Sequence, residues 1–117
     1  MRKTIYVTTQ FVGFHQWKDA PQKVAFLRDM HRHIFHVKAQ VEVSHSDRDV
    51  EFFLLKEDLE FLISRFEYAD YLGGRYIQSC EWAAEELIKG LTLSGYTVTS
   101  VEVNEDNENG AVIYNSI

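Results

Sequence analysis

Hydrophobic and polar residues alternate in two long segments near the start of the chain. Residues 4–15 carry mostly apolar side chains at every second position, and residues 31–45 alternate more clearly still. A period of two is typical of a half-buried strand, with one face in the core and the other in water. We therefore predict two long strands, joined by a connection over residues 16–30 that includes a short helical turn. The predicted inner face of the second strand consists of His33, Phe35, Val37, Ala39, Val41 and Val43.

Apolar residues in the centre of the chain recur instead at helical spacing. They predict a first helix over residues 54–66 and a second that begins after Ser79. A serine hydroxyl at that position can accept a hydrogen bond from a free backbone N–H of the first helical turn. Alternation returns in residues 97–104 and 111–114, which predicts two more strands. The pattern indicates an α+β fold with the order β-β-α-α-β-β.

Size and charge restrict the class of protein. A chain of 117 residues suits a single domain, residues 1–117, and 45% hydrophobic residues can form a core. A net charge of -6 argues against a nucleic-acid partner, which requires a basic surface. No apolar run has the length of a membrane span, and the N-terminus lacks the apolar stretch of a signal peptide. The expected partner is therefore a small molecule and the expected location cytoplasmic.

Histidines are the best candidates for chemistry. Cys80 is the only cysteine, so a metal site would have to be built from histidines and carboxylates. His31 and His33 lie two apart at the start of a strand and share one face. His15 ends the preceding strand, so antiparallel pairing would bring the three imidazoles together. Three histidines with an open fourth position form a catalytic type of zinc site, although a His-x-His pair alone is more often two ordinary strand residues.

Five segments of the chain match, in order, a known pattern. They are Phe-Val-Gly-Phe-His at 11–15, Met-His-Arg-His-Ile-Phe-His-Val at 30–37, Val-Glu-Phe-x-x-Leu-Lys at 50–56, Ser-Cys-Glu-Trp-Ala-Ala at 79–84 and Val-x-Val-x-Glu at 101–105. Together they resemble the 6-pyruvoyltetrahydropterin synthase and 6-carboxytetrahydropterin synthase family. The resemblance covers nearly the whole chain, and no single segment decides it.

The resemblance implies a structure and a site. It implies a tunnelling fold, in which a four-stranded antiparallel sheet carries two helices on one face and assembles into trimers and hexamers. Pterin or purine-like ligands would lie at subunit interfaces. His15, His31 and His33 would bind zinc, and Glu105 would hold the ligand. Glu81 also matches a ligand-binding position, although a carboxylate in a first helical turn is equally explained by the helix dipole.

The chain departs from the family pattern at its catalytic positions. The family's cysteine general base corresponds to Leu27, which cannot take a proton. The family's Asp-His pair corresponds to Glu67 and Tyr68, so that histidine is absent. Loss of a general base typically lowers the rate by about 10²–10⁴-fold. Asp29 or Glu67 could serve as a replacement base, because the pKa of a desolvated carboxylate can be shifted.

Two functions follow from this combination. The first is a zinc-dependent carbon–oxygen lyase that acts on a pterin such as 7,8-dihydroneopterin triphosphate, in a queuosine-type or pterin pathway. The alternative is a non-catalytic protein that binds or sequesters a pterin, purine or nucleotide-like ligand. A weaker third hypothesis is an oligomeric scaffold that keeps zinc for stability. All three predict a homo-oligomer.

Overall fold

A computed structural model describes residues 1–115 of the chain. Its elements, in chain order, are β1 (Lys3–His15), a 3-10 helix (Gln22–Arg28), β2 (His31–Val43), α1 (Phe52–Ser64), β3 (Tyr68–Ala69), β4 (Gly74–Tyr76), α2 (Cys80–Leu93), β5 (Val98–Glu105) and β6 (Asn109–Tyr114). The predicted α+β class is confirmed, and the two long strands and two α-helices lie within a few residues of their predicted positions.

The strands form one six-stranded mixed sheet with the order β3-β4-β1-β2-β5-β6. The prediction of a four-stranded antiparallel sheet in the order β-β-α-α-β-β is wrong. Two further strands, β3 and β4, follow α1 and precede α2 in the chain, and β4 runs parallel to β1. These strands have two and three residues, too few to produce a detectable alternation. Gly74 belongs to β4, where a Cβ atom would lie 2.7 Å from the carbonyl oxygen of Val12. Glycine therefore allows β4 to approach β1 at this point.

The hydrophobic core lies between the helices and one face of the sheet. The alternation in β2 is confirmed, since Phe35, Val37, Ala39 and Val41 are all buried. Both helices turn an apolar stripe toward these side chains. The stripe residues in the core cluster are Leu55, Leu59 and Ile63 of α1 with Ala83, Ala84, Leu87 and Leu91 of α2.

Side chains cap both helices at their first turns. The Ser79 hydroxyl accepts a hydrogen bond from the Trp82 backbone N–H at 3.0 Å, which confirms the predicted cap of α2. The Glu51 carboxylate accepts from the Phe53 backbone N–H at 2.8 Å and caps α1 in the same way. Within residues 1–115, neither helix has the length and apolar character needed to cross a membrane.

Candidate metal centre and ligand cleft

The three predicted histidines meet at one end of the β1–β2 pair. The two strands pair antiparallel in a continuous register that sets His15 opposite His31 and Gly13 opposite His33. The ring centroids are 4.4 Å apart for His15 and His31, 5.2 Å for His15 and His33, and 5.1 Å for His31 and His33. The convergence expected from strand pairing is therefore confirmed.

The donor atoms of this cluster are close enough to share one ion. One ring nitrogen from each histidine lies within 4.8 Å of the others, and all three side chains are half-buried. The Phe35 ring lies beneath them, with its centroid 5.4 Å from that of His15 and 5.7 Å from that of His33.

Hydrogen bonds fix the orientation of two of the rings. The Nδ1 atom of His31 lies 2.8 Å from the carbonyl oxygen of Asp29, and Nδ1 of His33 lies 2.6 Å from Oδ2 of Asp106. A carbonyl or carboxylate oxygen only accepts, so each Nδ1 carries the hydrogen and donates it. In the neutral form of each ring, Nε2 is then the nitrogen with the lone pair, which is the arrangement found in histidines that bind metals.

The third ring is held in its neutral form. Burial, followed by the charges of the nearby His31 and His33, lowers the pKa of His15 to about 4. At neutral pH this imidazole therefore retains a lone pair for a ligand. Three neutral imidazoles form a donor set suited to zinc, so the residues present fit the ion that the family resemblance implies.

A carboxylate borders the cluster. Glu105 ends β5 and is paired with Phe35 of β2. Its Oε2 atom lies 3.4 Å from Nε2 of His15 and 3.5 Å from Nε2 of His33. Two imidazoles and one carboxylate oxygen thus face a common point, and Glu105 connects the cluster to the space beside it.

That space is a small cleft of about 240 Å³. Both carboxylates predicted to bind a ligand, Glu81 and Glu105, lie on its wall beside His15. Cys80 also lines it, and burial, followed by the charges of Glu105 and Glu81, raises the pKa of this thiol to about 12. The thiol is therefore protonated at neutral pH. The complete lining is His15, Ser79, Cys80, Glu81, Glu105, Asn109 and Gly110.

The two predicted replacement bases lie outside this cleft. Asp29 is exposed, and its contact with the histidine cluster is made by its backbone carbonyl. Glu67 is exposed in a different groove, between the helices and β4, which it lines together with Phe66 and Trp82. Leu27, at the position of the family's cysteine, is half-buried near the end of the 3-10 helix. A catalytic role for Asp29 or Glu67 stays a prediction.

Asp106 is the site residue that the sequence analysis missed. Its contact with His33 depends on the register between β2 and β5, which pairs Phe35 with Glu105. The sequence alone therefore gives no signal for Asp106. The contact can be expected only when the register is known, because that register brings the end of β5 beside the histidine pair.

Comparisons with known proteins reveal a likeness of fold. No protein-family model matches the sequence, and no curated protein matches it. The solved structure of 6-pyruvoyltetrahydropterin synthase from Plasmodium vivax, a catalytic residue mutant, matches with a TM-score of 0.63 and 14% identity over 100% of this chain and 99% of that chain. A further structure of 6-pyruvoyl tetrahydropterin synthase from Plasmodium vivax gives a TM-score of 0.59 and 12% identity, with 100% and 99% covered. An uncharacterized protein from Wolinella succinogenes gives 0.58 and 14%, with 99% of each chain covered.

These matches define the class of fold. The chain has a fold similar to that of 6-pyruvoyltetrahydropterin synthase over its whole described length. Identities of 12–14% establish this architecture and leave the reaction to be argued from the site.

Proposed function

We propose that the protein is a divergent tetrahydropterin synthase-like protein that binds zinc through His15, His31 and His33 and a pterin in the adjacent cleft. The whole chain, residues 1–117, would form one such domain. The observation that supports this most strongly is the position of Glu105, which lies within 3.5 Å of His15 and His33 and also lines the cleft. A metal-binding cluster and a ligand-binding carboxylate are thus adjacent.

Carboxylates on the cleft wall favour a ligand rich in hydrogen-bond donors. A pterin presents a ring N–H beside an exocyclic amino group, and one carboxylate can accept both in a bidentate pair. Glu105 would take this role because it lines the cleft. Glu81, in the first turn of α2, supplies a second acceptor on the same wall. Guanine-like purines share this donor pattern and are expected to compete.

The histidine cluster would hold the metal at one end of the bound ligand. Zinc, when bound, supplies a Lewis acid that polarises a hydroxyl or carbonyl oxygen of the pterin side chain. His31 and His33 keep their Nε2 atoms directed for this purpose through the hydrogen bonds of their Nδ1 atoms. His15 stays neutral and half-buried over Phe35.

The size of the cleft favours an oligomer. Ligand pockets usually measure about 300–1,000 Å³, and the cleft in one chain is about 240 Å³. A second copy would complete it, as the family resemblance implies for trimers and hexamers. The edge strand β6 ends at Tyr114, whose side chain is largely exposed. An exposed sheet edge of this kind is open to pairing with another chain.

A second candidate function is a pterin-binding protein without catalysis. It is favoured by the placement of Asp29 and Glu67, neither of which lines the cleft. The lyase would belong to a queuosine-type or pterin pathway in the cytoplasm, whereas the binding protein would sequester or sense the same ligand. Both candidates require the same zinc and the same carboxylate, so they differ only in turnover.

The test is to incubate the zinc-loaded protein with 7,8-dihydroneopterin triphosphate and to measure binding and product separately. Glu105→Gln should weaken pterin binding by about 10–100-fold, because an amide cannot provide two charged acceptors. Glu108→Gln, in the turn that follows, is the matched control for charge and should bind like the wild type. Product lost in the Glu67→Gln or Asp29→Asn variant supports the lyase. Binding without product supports the sequestering protein, and no binding by the wild type contradicts both.

A further inference from the structure

Asp106 is hydrogen-bonded to β2 through both its side chain and its backbone. Oδ2 accepts the Nδ1–H of His33 at 2.6 Å, and Oδ1 accepts the backbone N–H of Ile34 at 2.9 Å. The backbone N–H of Asp106 also donates to the Ile34 carbonyl at 2.8 Å. Three hydrogen bonds, two of them to the carboxylate, therefore hold Asp106 against the segment of β2 that carries His33.

The backbone of the β5–β6 turn directs Asp106 toward that segment. The turn is closed by a hydrogen bond from the Glu108 N–H to the Glu105 carbonyl at 3.0 Å. Its two central residues, Asp106 and Asn107, have positive φ angles of 56° and 59°. A left-handed conformation costs a residue with a Cβ atom about 1–2 kcal/mol, although aspartate and asparagine tolerate it best. The hydrogen bonds of the Asp106 carboxylate offset this cost.

An acceptor at this point determines which nitrogen of His33 can bind a metal. A carboxylate cannot donate, so Nδ1 of His33 must carry the hydrogen, and in the neutral ring Nε2 is then the nitrogen with the lone pair. Nε2 of His33 is the atom that faces Glu105, as Nε2 of His15 does.

We propose that Asp106 is a positioning residue of the metal centre, which holds His33 in the tautomer and ring orientation needed to bind zinc through Nε2. This inference rests on the proposed function for the identity of the ion. It extends that function beyond Glu105, Glu81 and the three histidines. Partners of this kind typically change metal affinity by about 10–100-fold when they are removed.

The sharpest variant is Asp106→Asn. Asparagine adopts the same left-handed turn and can still accept from the Ile34 N–H, but it presents an amide donor to Nδ1 of His33. The ring must then release its Nδ1 hydrogen or rotate away. Zinc affinity, measured by competition with a chromogenic chelator, should fall by about 10–100-fold. Glu108→Gln removes one charge from the same turn and should stay within about twofold of the wild type. Equal zinc affinity in Asp106→Asn and the wild type, or an equal loss in Glu108→Gln, would overturn the proposal.

A second measurement does not depend on zinc. Nitrogen-15 NMR of the chelator-treated protein reports which ring nitrogen of His33 carries the hydrogen. We expect the Nδ1–H tautomer in the wild type and its loss in Asp106→Asn, and an Nε2–H tautomer in the wild type would overturn the proposal. Wild-type protein that shows the expected tautomer but binds no zinc would contradict the proposed function and leave the hydrogen bond intact. Asp106→Gly, which relaxes the turn and removes the acceptor, replaces Asp106→Asn if that variant fails to fold, with the same expected loss of the Nδ1–H tautomer.

Discussion

His15 and His31 are direct partners at the last rung of the β1–β2 ladder, with ring centroids 4.4 Å apart. The same ladder begins with Lys3 opposite Val43 and continues without a shift. Because side chains alternate between the two faces of a strand, a slip of one residue would move His15 to the opposite face. The geometry of the metal centre is therefore a consequence of sheet register, which the buried side chains of β2 hold in place.

Gly13→Ala tests this dependence on packing beneath the rings. A Cβ atom at Gly13 would lie 2.5 Å from Cδ2 of Phe35, the fully buried ring under His15 and His33. Overpacking of this kind usually lowers the free energy of unfolding by about 1–3 kcal/mol. We expect that loss in a denaturant titration, together with weaker zinc binding, because Phe35 must move against the two imidazoles.

Gly90→Ala is the control for Gly13→Ala. A Cβ atom at Gly90 would lie 2.6 Å from Cδ2 of Leu62, in the contact between α1 and α2. This variant disturbs packing between the helices and should leave zinc affinity unchanged. Wild-type zinc affinity in Gly13→Ala would contradict the role assigned to Phe35.

The pKa of His15 predicts how stability depends on pH. Unfolded His15 takes up a proton near pH 6.5, whereas the folded residue does so only near pH 4. Between these values the unfolded state binds more protons than the folded state. As far as His15 is concerned, the free energy of unfolding is therefore highest above pH 6.5 and falls as the pH drops toward 4. The expected loss is about 1–3 kcal/mol after allowance for solvent screening.

The measurement is a series of denaturant titrations across this pH range with a chelator present. His15→Gln should flatten the pH dependence, because glutamine does not titrate. Asp106 contributes separately, because its lowered pKa makes its stabilisation disappear only as the pH falls below 3.8. A slope that is the same in His15→Gln and the wild type would show that another group is responsible.

Ser79→Ala tests the cap that positions one wall of the cleft. The Ser79 hydroxyl accepts from the Trp82 N–H, and loss of such a cap lowers stability by about 1 kcal/mol. Glu81 lies in the same first turn, so we also expect weaker pterin binding. Ser94→Ala removes a hydroxyl at the other end of α2, where it donates to the Gly90 carbonyl, and is the matched control. Unchanged stability in Ser79→Ala would contradict the assigned cap.

The sequence was most informative where its patterns were long. The alternation in β1 and β2 predicted both strands, and it predicted that His31 and His33 share a face with Phe35. The family resemblance added Glu105, which lies beside the imidazoles. These features depend on periodicity and order along the chain, which can be read without knowing how distant segments pack.

The features that were missed depend on contacts between distant segments. β3 and β4 are too short to show a period, so neither strand was predicted. Asp106 reaches His33 only through the pairing of β2 with β5. Asp29 and Glu67 were selected because a carboxylate can act as a base, and Glu67 also because it corresponds to the family's Asp-His pair. Neither criterion fixes a position beside the cleft.

The most direct test of the metal centre is an anomalous-diffraction map, recorded at the zinc absorption edge, of crystals grown with zinc. We expect one strong peak per chain, about 2.0–2.1 Å from a ring nitrogen of each of His15, His31 and His33. For His31 and His33 that nitrogen should be Nε2. A map without a peak among these three rings, or with its only strong peak elsewhere on the chain, would contradict zinc binding by the three histidines.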